Sequence, residues 1–181
     1  MPSPFQDISY FRAGLESLER YLLSDELFWS LDGDLPKLTI GGMLLDGKRL
    51  SVVSNQHEWT ILSDRLDFLR SKWRSAWERK AGHEIHARLN LWKNYLQELR
   101  EKFDPDNYSQ QVQWRVMLQL LGCESPALAE ELKTLPVLDS ILKSHWLPGG
   151  FIWDVKLSIA FPEGQYWYLY GSLKSGFEEL P

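Results

Sequence analysis

LSDRLDFLRSKWRSAWERKAGHEIHARLNLWKNYLQELREKF, residues 62–103, decides the fold. Its apolar row runs Leu62, Leu66, Leu69, Trp73, Trp77, Ala81, Ile85, Leu89, Trp92, Leu96, Leu99 and Phe103. The mean step is about 3.7 residues, close to the 3.6 of an α-helix. Arg79, His83, His86, Asn90, Asn94, Gln97 and Glu101 fall on the opposite side, so the helix is two-faced. Asn55 followed by Glu58 resembles a capping box and marks where it starts.

Length makes this helix a problem. Residues 56–103 in one helix would span about 70 Å. A domain of 181 residues has a radius of gyration of about 16 Å. Gly82 is the weakest interior position, costing about 1 kcal/mol relative to Ala, yet the apolar row runs straight through it. A break near Ser63-Asp64 is the alternative. The reading adopted is a continuous helix over about 64–103, long enough to invite self-association.

Outward from this helix, the N-terminal side begins with Ile8, Phe11, Leu15, Leu18 and Leu22 on one face of a helix over 6–23. Ser24 and Asp25 are placed to cap a short second helix carrying Leu27, Phe28 and Leu31. Residues 35–54 are ambiguous. Leu38-Thr39-Ile40 and Leu50-Ser51-Val52-Val53 have strand character around Asp46-Gly47, a good hairpin turn. A hairpin over about 38–53 is favoured over a helix turn after Gly41-Gly42. On the C-terminal side, Asp104-Pro105 and Ser125-Pro126 each read as a helix start. Pro136 interrupts or restarts the helix that follows. The aromatic-rich tail predicts a second hairpin over about 151–171, or an arm packed on the helices. The fold class is therefore mainly α: an irregular bundle of five or six helices in one domain, 1–181, with one or two short hairpins.

The totals set the function classes. The net charge of −5 does not favour a polyanionic partner. One cysteine, Cys123, allows no internal disulfide and reads as structural or incidental. The N-terminus carries no secretory pattern, and no apolar run approaches the roughly 20 residues that span a bilayer. A cytoplasmic protein without a membrane partner is the expectation. Nothing in the sequence implies a cofactor.

Charge is nonetheless segregated. Ten of the twenty basic residues fall within 65–102, against five acids. Arg70, Arg74, Arg79, Lys80 and Arg88, with Trp73 and Trp77 between them, form a candidate nucleic-acid surface. The competing reading is an ordinary charged helix whose Glu84–Arg88 and Glu98–Lys102 pairs are surface ion pairs. His83 and His86, at i and i+3, are weak candidate metal ligands for a metal-dependent enzyme. They are one residue short of the zinc-protease spacing, and Arg79 and Lys80 disfavour a cation. Ser144-His145 with Asp139 is explained by a histidine at a helix C-terminus. Gly171 and Gly176 have phosphate-loop spacing but lack the lysine that touches phosphate. Trp153, Trp167, Tyr168 and Tyr170 are candidate partner-binding residues, or else they fasten the tail to the helices. With no complete catalytic constellation, the function expected first is a non-enzymatic interaction or structural module.

Overall fold

In a computed structural model, residues 4–101 and 107–174 are described. They form α1 (Pro4–Leu23), α2 (Ile40–Val53), α3 (Gln56–Lys72), α4 (Arg74–Glu101), α5 (Tyr108–Gly122), α6 (Pro126–Glu131) and α7 (Leu135–Ser144), then strands β1 (Trp146–Phe151) and β2 (Tyr170–Leu173). The fold is mainly α with one small antiparallel sheet. Seven α-helices stand among the described residues where five or six were expected.

The long helix is two helices. Its apolar row holds from Leu62 to Leu99, but Trp73 leaves helical geometry at φ −114° and ψ 34°. Hydrogen bonding still passes through the break: the Trp73 N–H donates to the Leu69 carbonyl, and the Trp77 N–H to the Trp73 carbonyl. The alternative break at Ser63-Asp64 is absent, and α4 is continuous through Gly82. A Cβ at Gly82 would stand 3.3 Å from Glu131 Oε1 and 3.5 Å from Leu128 Cδ2. The glycine serves the close approach of α6. Asn55 caps α3 as expected, its side chain accepting from the His57 and Glu58 N–H groups. The expected end at Phe103 and the Asp104-Pro105 start lie outside the described residues.

Two expectations on the N-terminal side are overturned. Residues 40–53 are a helix, α2, and not a hairpin. Thr39 caps it, its side chain accepting from the Gly42 N–H. Eight of its fourteen residues are buried, because α1, α4 and α5 pack around it. Burial on all sides erases the two-faced pattern by which helices are read. The short helix after Ser24 also does not form. The Ser24 hydroxyl donates back to the Tyr21 carbonyl at 2.9 Å and closes α1 instead of opening a new helix. Trp29 and Leu38 then pair as an isolated antiparallel bridge.

The tail hairpin exists with shifted bounds. Trp146 pairs with Leu173, Leu147 with Ser172, Pro148 with Gly171 and Phe151 with Tyr170, with an irregularity between Pro148 and Phe151. Residues 152–169 run between the strands through short 3₁₀ turns at Val155–Leu157 and Trp167–Leu169. The aromatic side chains of this tail join a chain of ring contacts that begins on α4. It passes from Trp92 through Tyr95, Tyr108, Trp146, Trp167, Tyr168, Tyr166, Phe161, Trp153 and Phe151 to Tyr170, each step 5.0–6.5 Å between centroids. Such pairs add about 0.5–1.5 kcal/mol each beyond simple burial, so the tail is part of the core.

Candidate interaction surface

The centre of the molecule is an ionic knot on α4. Glu84 is fully buried. Its Oε2 accepts from the Gly41 N–H at 2.8 Å, and its Oε1 accepts from Arg88 Nε at 2.5 Å. Arg88 Nη2 donates to Thr39 Oγ1 at 3.1 Å. The carboxylate thus lies on the N-terminus of α2, where free N–H groups and the helix dipole favour an anion. The Glu84–Arg88 pair expected at the surface is an internal fastening between α4 and α2.

The five candidate nucleic-acid cations do not converge on one surface. Arg88 is 6% exposed and Lys80 is 3% exposed. Lys80 donates to Ser24 Oγ and to the Glu26 carbonyl, and its ammonium stands 4.6 Å from the Tyr21 ring. Burial, reinforced by Arg79, pulls its pKa below the usual lysine range against the opposing pull of Asp25 and Glu26. Arg74 binds Glu78 and the Glu124 carbonyl. Arg70 lies 3.5 Å from Glu124 and 3.7 Å from Asp67. Arg79 is exposed. Lys80 thus fastens α4 to the loop after α1, Arg88 fastens it to α2, and Arg74 fastens it to the α5–α6 link.

The histidines are surface residues. His83 is exposed, and His86 Nε2 lies 3.2 Å from Glu131 Oε2 on α6. Among the described residues no three His, Cys, Asp or Glu side chains gather as a metal site would require. Asp139 is engaged away from His145: Arg115 grips it with Nε and Nη2 at 2.7 and 2.8 Å. The same guanidinium stacks 4.4 Å over the Tyr168 ring.

The aromatic partner-binding candidates divide. Trp153 is buried and donates from Nε1 to the Ser109 carbonyl at 2.9 Å. Tyr168 is fully buried, and its hydroxyl donates to Gln119 Oε1. These two hold the tail down and are not surface residues. Trp167 and Tyr170 are half-buried. Lys143 lies 5.0 Å from the Trp167 ring, and the Tyr170 hydroxyl donates to the Phe161 carbonyl at 2.8 Å.

A second buried charge cluster joins α1 to α2. Arg49 Nη1 donates to Asp46 Oδ1 at 3.2 Å, and the buried Asp7 of α1 interacts electrostatically with both. The guanidinium also faces the Trp153 ring at 5.0 Å. Burial, with the Asp7 charge adding to it, pushes the Asp46 carboxyl up to about 7 against the pull of Arg49.

Several large apolar side chains also stay outside. Ile61 and Phe68 on α3 are 57% and 64% exposed, and Val155 and Ile159 in the tail are 74% and 80% exposed. The sequence reading did not single out any of them. A signal existed for the first two, which stand seven residues apart and off the row of Leu62, Leu66 and Leu69. A depression of about 250 Å³ between α4 and the start of α5 is lined by Asn94, Tyr95, Glu98, Gln111 and Trp114 among others. Among the described residues no helix is long and apolar enough to cross a membrane. Compared with protein-family models, with characterised proteins and with solved structures, the chain matches none of them.

Proposed function

We propose that this chain is a non-enzymatic interaction module of the cytoplasm. One observation carries the reading: Lys80 and Arg88, two of the candidate cations, are spent inside, while large apolar side chains stand in solvent. Lys80, Glu84, Arg88 and Arg115 are all buried and all engaged with other parts of the chain. Ile61, Phe68, Val155 and Ile159 are more than half exposed, in two pairs spaced by seven and by four residues. Large exposed apolar side chains are surface of the kind that protein partners bury.

The test is a photo-crosslinking residue placed in turn at Ile61, Phe68, Val155 and Ile159 in the producing cell. A discrete adduct of defined mass is expected from at least one pair. No adduct from any of the four positions overturns the reading. A nucleic-acid role would instead require Arg70, Arg74 and Arg79 to act without Lys80 and Arg88, which are internal.

A further inference from the structure

The outer face of α3 has a twofold pattern. Ile61, Asp64, Arg65 and Phe68 lie on one stripe of the helix at spacings of three, one and three residues. All four are exposed. Reversed end to end about the midpoint between Asp64 and Arg65, the stripe maps onto itself. Ile61 falls opposite Phe68, and Asp64 falls opposite Arg65. We infer that this face binds a second copy of the same chain, α3 against α3 in antiparallel orientation about a twofold axis.

Three observations support the second copy as occupant. First, the charges are self-complementary. Asp64 and Arg65 have no hydrogen bond or ion pair within the described chain, and in the antiparallel pair each meets its opposite on the other copy. Twofold interfaces require this reciprocity, since residue i meets j wherever j meets i. Second, α3 carries three acids and three bases, so the net repulsion of two chains at −5 is relieved where they would meet. Third, the buried row of Leu62, Leu66 and Leu69 already holds α3 to the body. The outer stripe is therefore presented on a fixed element and needs no rearrangement to dock.

The other neighbours on the stripe are compatible with this pairing. Lys72 is already drawn toward Glu19 at 3.3 Å, and Glu58 toward Arg12, which keeps the ends of α3 committed to the body. The helix is about 26 Å long. A single helix pair of that length falls at the small, transient end of interfaces, below roughly 1,200 Å². A dimer with a dissociation constant on the order of 100 µM is therefore expected.

This inference rests on the interaction-module reading, and its test separates the two. Sedimentation of the full chain from roughly 5 µM to 1 mM should show the mean mass climbing from monomer toward dimer. Asp64→Arg places two arginines opposite each other, and Arg65→Asp places two aspartates opposite each other. Each variant alone should weaken the dimer about tenfold or more, and an equimolar mixture of the two should restore it as a heterodimer. Circular dichroism of each variant should match the parent, because both positions are exposed. A chain that stays monomeric at 1 mM, or a dimer indifferent to both charge reversals, overturns the second-copy proposal. A crosslink from Phe68 to a protein of another mass does the same while leaving the interaction reading intact. Absence of every crosslink removes both.

Discussion

Two ion pairs on consecutive helices look alike in sequence and differ in consequence. Asp67–Arg70 on α3 and Glu84–Arg88 on α4 are both acid-before-base pairs at helical spacing. The first is 3.7 Å apart and solvated; the second is 2.5 Å apart and buried. The difference comes from what surrounds each helix. α3 rests one face on α1 and α2, whereas α4 is in contact with α1, α2, α3, α5, α6 and α7. A charged helix face is a surface only when no other element claims it. Here α2 claims it, by bringing its N-terminus and unpaired N–H groups onto Glu84.

The largest expected effect tests that difference directly. Glu84→Ala leaves Arg88 as a buried cation without its carboxylate and leaves the Gly41 N–H without its acceptor. The expected loss is about 3–5 kcal/mol, read as a lowered urea midpoint. Asp67→Ala, the matching change on α3, should cost a few tenths of a kcal/mol. Equal losses for the two would collapse the distinction between the helices.

The next effect concerns how closely α4 and α2 approach. A Cβ at Gly41 would stand 2.6 Å from Glu84 Oε1 and 3.1 Å from Met117 Cβ. Gly41→Ala should therefore destabilise by about 1–3 kcal/mol as the neighbours are forced apart. That is the reverse of the gain that alanine brings to an open helix interior. A stabilised Gly41→Ala protein in thermal melts would show that the contact yields freely.

These glycines also explain what was legible in the sequence and what was not. The apolar row of α3 and α4 was readable because each helix keeps a wet side. The row could not reveal the break at Trp73, since a one-residue departure leaves the spacing intact. In α2, Asp46-Gly47 looks like a hairpin turn, and Gly41-Gly42 looks like a break ahead of a helix. The role of these glycines is packing. A Cβ at Gly42 would meet the Tyr10 hydroxyl at 2.5 Å, and one at Gly47 would meet Phe11 and Trp59 at 3.2 and 3.3 Å. None of the three has a positive φ. Composition cannot distinguish a glycine that turns the chain from one that admits a neighbour. Lys80 and Arg88 were misplaced for a related reason: their partners lie 54 and 49 residues away along the chain, in Glu26 and Thr39. Spacing along one helix is silent about them.

Between the two helices in environment stands Asp46 on α2, buried beside Asp7 and Arg49. Its folded carboxyl titrates near 7 against an ordinary 3.8. From about pH 4 to pH 7 the folded state therefore holds a proton that the unfolded state has lost. Stability contributed by this group falls as pH rises through that window, with a slope of up to about 1.4 kcal/mol per pH unit. Asp46→Asn removes the titration. Its stability relative to the parent should improve steadily from pH 4 to pH 7 and level off above. Parallel stability curves for the two proteins would show that Asp46 ionises freely in the fold.

The smallest effect is the most diagnostic for α3. Phe68 is 64% exposed, and Ile61 is 57% exposed. An aromatic ring that contributes little to the core can be removed with little cost. Phe68→Ser and Ile61→Ser, measured at a few micromolar where any self-association is absent, should change stability by less than about 0.5 kcal/mol. Trp77→Ala is the counterpart on α4. It removes a fully buried ring whose Nε1 donates to Glu124 at 2.8 Å, and should cost about 3–5 kcal/mol. If Phe68→Ser destabilises the dilute monomer by as much as a core substitution, the ring is holding α3 to the body. The outer stripe would then be part of the fold, and the contrast between a spent helix and a presented one would fail at the residue that carries it.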